Sequence, residues 1–164
     1  MIRTFVACLL CALALPALAQ SVPAANYSDI WFNPNESGWG VTFTQHPATN
    51  QVFAVWYTYD PREPDATSPG NYKPLWIVMS GGTWNSPTSL AGPVYVTTGT
   101  PFAQGWNPSS LGVQQVGTFT FNFTSSSSGS FSYNISPPAG LASNNPAFGL
   151  PAFSGTKTIQ RQSF

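Results

Sequence analysis

The groups able to do chemistry in this 164-residue chain are few, and one is set apart. Glu36 lies in Trp31-Phe-Asn-Pro-Asn-Glu-Ser-Gly-Trp-Gly40, among two tryptophans, a proline turn and two glycines. A lone carboxylate beside aromatic rings can anchor a polar group in a cleft, here one walled by Trp31 and Trp39. The plainer alternative is structural. Glu36 then accepts backbone N–H bonds in its own loop or pairs with Arg161 or Lys157, and the tryptophans cap the core. Paired carboxylates for glycoside hydrolysis could be drawn from Asp29, Glu36 and Asp60 if folding brought two together, which nothing in their spacing requires. His46 is the one histidine, precedes Pro47 at a strand end, and reads as a solvated loop residue. There is no Gly-x-Ser-x-Gly elbow for a nucleophile and no glycine loop opening a helix for phosphate.

These residues must be held by a chain whose first nineteen positions read as an export signal. Arg3 supplies a positive start, Phe5 to Leu15 an apolar run, and Ala17-Leu-Ala19 a cleavage site before Gln20. The run falls short of the roughly 20 apolar residues a bilayer span needs. Leu10 before Cys11 is not the small residue expected ahead of a lipidated cysteine. Both cysteines, Cys8 and Cys11, fall inside this segment, so the expected mature chain of 20–164 has no disulfide, thiol nucleophile or cysteine metal site. With one histidine besides, a zinc site is not expected, nor any cofactor. The predicted location is outside the cell or in a periplasm.

Residues 20–164 suffice for one domain, since a chain of this length buries roughly 68–70% of its unfolded surface. Beyond residue 19, five acids (Asp29, Glu36, Asp60, Glu63, Asp65) face four bases (Arg62, Lys73, Lys157, Arg161). Four scattered cations cannot displace the counterions of a nucleic acid or hold an anionic membrane surface. Abundant Phe, Trp, Tyr, Val and Ile argue for a folded chain.

The patterning predicts strands and no helix. Trp39, Val41 and Phe43 alternate with Thr42, Thr44 and His46. Phe119, Phe121 and Phe123, then Phe131, Tyr133 and Ile135, alternate with Thr, Ser and Asn across a five-residue connection at 125–129, which reads as a hairpin. Shorter or final strands are expected at Val94–Thr97 and about Gly155–Phe164. Asn33-Pro34 reads as a turn, and Gly38 suits a positive φ before the first of these strands. The expected architecture is all-β: a single small antiparallel meander barrel of seven or eight strands, with a two-sheet β-sandwich as the alternative. Long connections are expected at Asp60–Pro74, Gly99–Leu111 and Ser136–Ser154.

Two strands are apolar on both faces. Gln51 to Tyr59 places Phe53, Val55, Tyr57 and Tyr59 opposite Val52, Ala54 and Trp56. Leu75 to Met79 places Trp76 and Val78 opposite Leu75, Ile77 and Met79. Either a loop bearing Phe148 and Phe153 covers the second face, or that face is an aromatic patch of the kind that marks a binding or subunit surface. The candidate ligand-binding residues are therefore Trp31, Glu36, Trp39, Trp56, Tyr57, Trp76 and, from the second long connection, Trp106.

Asn33-Pro-Asn-Glu-Ser-Gly-Trp-Gly40, Phe53-Ala-Val-Trp-Tyr-Thr-Tyr-Asp60 and Pro74-Leu-Trp-Ile-Val-Met-Ser-Gly-Gly82 resemble a recurring secreted domain of proteobacteria. Tyr95-Val-Thr-Thr-Gly99, Val116-Gly117 and Lys157-Thr-Ile-Gln-Arg-Gln-Ser-Phe164 are similar in the same order. The resemblance implies export and a one-domain architecture; it brings no catalytic residue. The chain departs from it at 61–72 and 137–149, which are longer than the family's turns.

The function expected is a secreted, non-catalytic module that binds a neutral glycan-like or apolar ligand, or another protein, through tryptophans and tyrosines near Glu36. The alternatives are a structural or adhesive protein that packs against copies of itself, possible as a homo-oligomer, and a small hydrolase using Glu36 with a second carboxylate.

Overall fold

The computed structural model describes residues 21–62 and 72–163. The expected export signal at 1–19, and Glu63 and Asp65, lie outside the described residues.

Among the described residues nine strands form one antiparallel sheet: β1 (Asp29–Phe32), β2 (Gly40–Gln45), β3 (Val52–Tyr59), β4 (Pro74–Ser80), β5 (Thr83–Ser86), β6 (Ser89–Thr98), β7 (Gly112–Phe123), β8 (Ser128–Ile135) and β9 (Phe153–Arg161). Chain neighbours pair throughout except β4 and β5, which do not pair with each other. Val78↔Tyr95 joins β4 to β6, and Trp31↔Arg161 joins β1 to β9. Eight strands thus close into a meander barrel, with β5 an extra strand on β6. The barrel expected from the sequence is observed, and the only described helical element is a 3-10 turn at Pro108–Ser110.

Phenylalanine at every second position explains the core. Phe119, Phe121, Phe123 and Phe131 point inward and are wholly or almost wholly buried beside Trp31, Phe43, Trp56 and Trp84. Their rings interlock edge-to-face and stacked, as in Phe43 on Phe121 at 5.1 Å and Tyr27 on Phe123 at 3.9 Å. Such pairs add about 0.5–1.5 kcal/mol each beyond their buried area. The inside is a packed core, while the outer face of β7–β9 carries Thr120, Ser132 and Thr156 in register. No helix among the described residues is long and apolar enough to cross a membrane.

The two-faced strands resolve cleanly. Val52, Ala54 and Trp56 of β3 and Leu75, Ile77 and Met79 of β4 face the core. Phe53, Tyr57, Tyr59 and Trp76 lie outward, each about half exposed. The loop expected to cover them goes elsewhere: Ala147 and Leu150 join the core and Phe148 is itself half exposed. Arg62 holds this loop by donating from Nη1 to the carbonyls of Pro146 and Phe148, at 3.2 and 3.0 Å, while its Nε bonds the Asp60 carboxylate.

Strand direction sends the segment 33–39, the end of β3 with the start of β4, and the β6–β7 and β8–β9 connections to one rim of the barrel. The tight β2–β3 and β7–β8 hairpins lie at the opposite rim.

Candidate functional site

Pro34 shapes the loop-bearing rim. β1 meets β9 at Trp31↔Arg161 and Phe32↔Gln160, and Gln162 N donates to Ile30 O at 2.8 Å. Two residues past Phe32 the next pairing position is Pro34, which has no N–H to give. The chain turns away there: Asn33 Oδ1 accepts from Asn35 N at 3.0 Å, and Asn33 O accepts from Glu36 N at 3.1 Å. From Gln160 back toward the rim, β9 is paired, among the described residues, to β8 alone. The barrel wall therefore opens as a seam between β9 and the β1–β2 loop.

A cavity of about 260 Å³ fills this seam. One wall is Glu36, Trp39, Trp56 and Thr58; the other is Phe131, Tyr133, Phe153 and Lys157. The second wall follows from register. Phe153, Gly155, Lys157 and Ile159 pair with Ile135, Tyr133, Phe131 and Gly129, so Lys157 occupies an inward-facing position in line with the core.

A cation at such a position needs a partner, and Glu36 supplies it across the seam. Glu36 Oε2 lies 2.8 Å from Lys157 Nζ and accepts from Trp39 Nε1 at 3.2 Å. Oε1 makes no hydrogen bond among the described residues. The Lys157 bond holds the Glu36 carboxyl below its ordinary value against the opposing effect of desolvation, with Trp39 adding to it. Glu36 in turn pushes the Lys157 ammonium up. Both side chains keep 37% of their surface exposed. The pairing with Lys157 expected of a structural Glu36 is observed, and the pair lines an open concavity beside Trp39, from which Trp31 is absent.

The aromatic walls are tightly set. Trp56 packs on Tyr133 at 4.7 Å and on Phe131 at 5.4 Å, and Phe153 lies 5.9 Å from Tyr133. Trp56 Nε1 is buried with no hydrogen-bond partner among the described residues. Tyr133 leans over Gly155, where an added Cβ would stand 2.5 Å from the phenolic oxygen, so glycine leaves the room the ring needs. At Gly38 a φ of +103°, in the left-handed region, lets the loop return to β2, with the Tyr59 ring 3.3 Å from where a Cβ would be.

Of the seven residues singled out from the sequence, Glu36, Trp39 and Trp56 come together here. Trp31 does not join them. It is fully enclosed, its Nε1 donates to Tyr27 O at 2.9 Å, and the Arg161 guanidinium covers it at 5.3 Å. Tyr57 and Trp76 neighbour each other on the outer wall, and Trp106 is an exposed residue of the β6–β7 connection. Tyr133, Phe153, Thr58 and Phe131 were not anticipated as lining residues. The usable signal was tyrosine in place of phenylalanine in the inward series of β8, because a phenol at such a site calls for an outlet.

The carboxylates weighed for hydrolysis each engage a different base: Asp29 with Arg161, Glu36 with Lys157 and Asp60 with Arg62. A glycosidase general acid needs a raised pKa, and that of Glu36 is lowered. His46 Nδ1 accepts from Ala48 N and Thr49 N within the β2–β3 hairpin. No cluster of three or more His, Cys, Asp or Glu among the described residues is placed to hold a metal ion. No protein-family profile, curated protein or solved structure matches the chain.

Proposed function

We propose that the protein is a non-catalytic binding module that takes an uncharged, ring-sized group into the seam cavity. The observation that carries this is the Glu36–Lys157 pair set among Trp39, Trp56, Tyr133 and Phe153 at the seam between β9 and the β1–β2 loop. The rings offer faces for a sugar ring or an apolar ring. The ion pair offers a donor and an acceptor side by side, which suits hydroxyls. A charged ligand would have to compete with one member of the pair for the other. The volume, just below the roughly 300 Å³ at which drug-sized pockets begin, suits one ring.

The test is calorimetric titration with methyl glycosides and with indole as neutral ring probes. Binding of either that Trp39→Ala abolishes and His46→Ala retains supports the reading. Absence of binding by both, or binding unchanged in Trp39→Ala, contradicts it.

A second reading, self-assembly, is favoured by the half-exposed Phe53, Tyr57, Tyr59 and Trp76 on the outer wall. We further propose that the chain is exported and that it is a member of the secreted proteobacterial family its motifs resemble. N-terminal sequencing of protein recovered outside the cytoplasm checks export, with Gln20 expected as the first residue.

A further inference from the structure

Among the described residues, the seam leaves one edge of β9 without a strand partner. In β9 the main-chain groups alternate in direction. Arg161 N donates to Ser127 O at 2.9 Å toward β8, and Gln162 N donates to Ile30 O at 2.8 Å toward β1. With that alternation, the N–H and C=O of Ser154, Thr156 and Thr158 point to the β1 side, where β1 stops at Phe32 and Pro34 cannot continue the ladder. All three residues are exposed. Lys157 points inward, so its bridge to Glu36 lies under the wall and leaves the edge above it open.

We propose that this edge of β9 docks an extended, uncharged peptide segment of a partner protein, which pairs with Ser154, Thr156 and Thr158 and lowers one side chain into the seam cavity. The proposal rests on the reading of the cavity as a ring-sized binding site and names what would carry the ring. Three donor–acceptor sets at two-residue spacing match another extended main chain, the principle of strand addition, in which a neighbouring pocket for alternate side chains supplies specificity. Natural edges are guarded by charges, prolines or bulges. Here the edge side chains are small and neutral, and the inward charge, Lys157, is neutralised by Glu36. Glu36 spans the seam to reach Lys157, so the opening suits one chain better than the wall of a second barrel.

Amide exchange followed by NMR on the purified protein reads the edge first. The amides of Ser154, Thr156 and Thr158 are expected to exchange on the order of a hundredfold faster than those of Gly155, Lys157 and Ile159, which face β8. Equal protection of the two sets overturns the proposal. A phage-displayed random heptapeptide library is then selected on the same protein. Uncharged peptides with an internal aromatic residue are expected to enrich, and the synthetic peptide is expected to slow exchange at those three amides. Thr156→Pro removes the central edge N–H and should weaken that peptide about tenfold or more, the loss of roughly one good hydrogen bond. Thr156→Val, which loses only the hydroxyl contact to Ser132, should bind as the parent does. A library that enriches nothing, or a peptide that Thr156→Pro binds equally well, overturns the proposal. If indole or a methyl glycoside still binds in that case, the cavity reading stands alone; if neither binds, both fail. A dimer seen by light scattering and dissolved by Thr156→Pro would make a second copy the occupant and overturn the partner assignment.

Discussion

Lys157 stands where the barrel's own alternation calls for an apolar side chain, and Glu36 makes that position tolerable. Glu36→Gln should therefore weaken ring-probe binding about tenfold, the loss of one charge-assisted contact. It should move the melting temperature little, because the pair is more than a third exposed and screened by solvent. Calorimetry on the same samples reads both. The pH dependence follows from the two shifts. Glu36 is lowered on folding, so what it contributes is present above its unfolded value and lost as pH falls through the lowered one. Lys157 is raised, so its contribution is present below its unfolded value and lost as pH rises through the raised one. Binding is expected to be flat through neutral pH and to fall off at the acid and alkaline ends; a titration step near neutrality would contradict the pair as anchor. Gly155 is the second sensitive point. Gly155→Ala would drive Tyr133 off its seat, costing about 1–3 kcal/mol as overpacking does and filling the cavity. Denaturant melts and probe titration should show both losses together.

At the scale of elements, Pro34 decides where the barrel opens. Pro34→Thr restores an N–H opposite Thr158, so β1–β9 pairing should lengthen and Thr158 amide exchange should slow; unchanged exchange would show that the loop, and not the missing donor, sets the seam. Much of the fold was legible because strict alternation in β7, β8 and β2 assigns an inside and an outside. β1 and β5 were not. Each has four residues with one fully buried, Trp31 and Trp84, too short for a period to show. The inward set of β9 mixes Phe153, Gly155, Lys157 and Ile159, so its parity could not be read, and half the cavity wall stayed hidden with it. Asn33-Pro34 and Gly38 were readable as turn chemistry, since local φ preference is a property of the residue itself. That Glu36 meets Lys157, 121 positions away, depends on barrel closure, which no local pattern encodes.

The whole molecule is a barrel with an aromatic interior, one polar outer side and one aromatic outer side. Stability should reside in the interior. Phe121→Ala is expected to cost about 3–5 kcal/mol, whereas Trp76→Ser on the outer wall should change stability by no more than about 0.5 kcal/mol. Chemical denaturation separates the two. If the outer aromatic side also drives self-assembly, a Tyr57→Ser, Trp76→Ser double variant should lower the mass seen by light scattering at high concentration without touching probe binding. The most direct test of the seam as the binding site uses the indole N–H signals of the tryptophans, assigned by NMR and followed during titration with methyl glycosides and indole. Trp39 and Trp56 are expected to shift saturably while the enclosed Trp31 and Trp84 stay still. Shifts confined to Trp76 and Trp106, or none at all, would contradict a binding site in the seam.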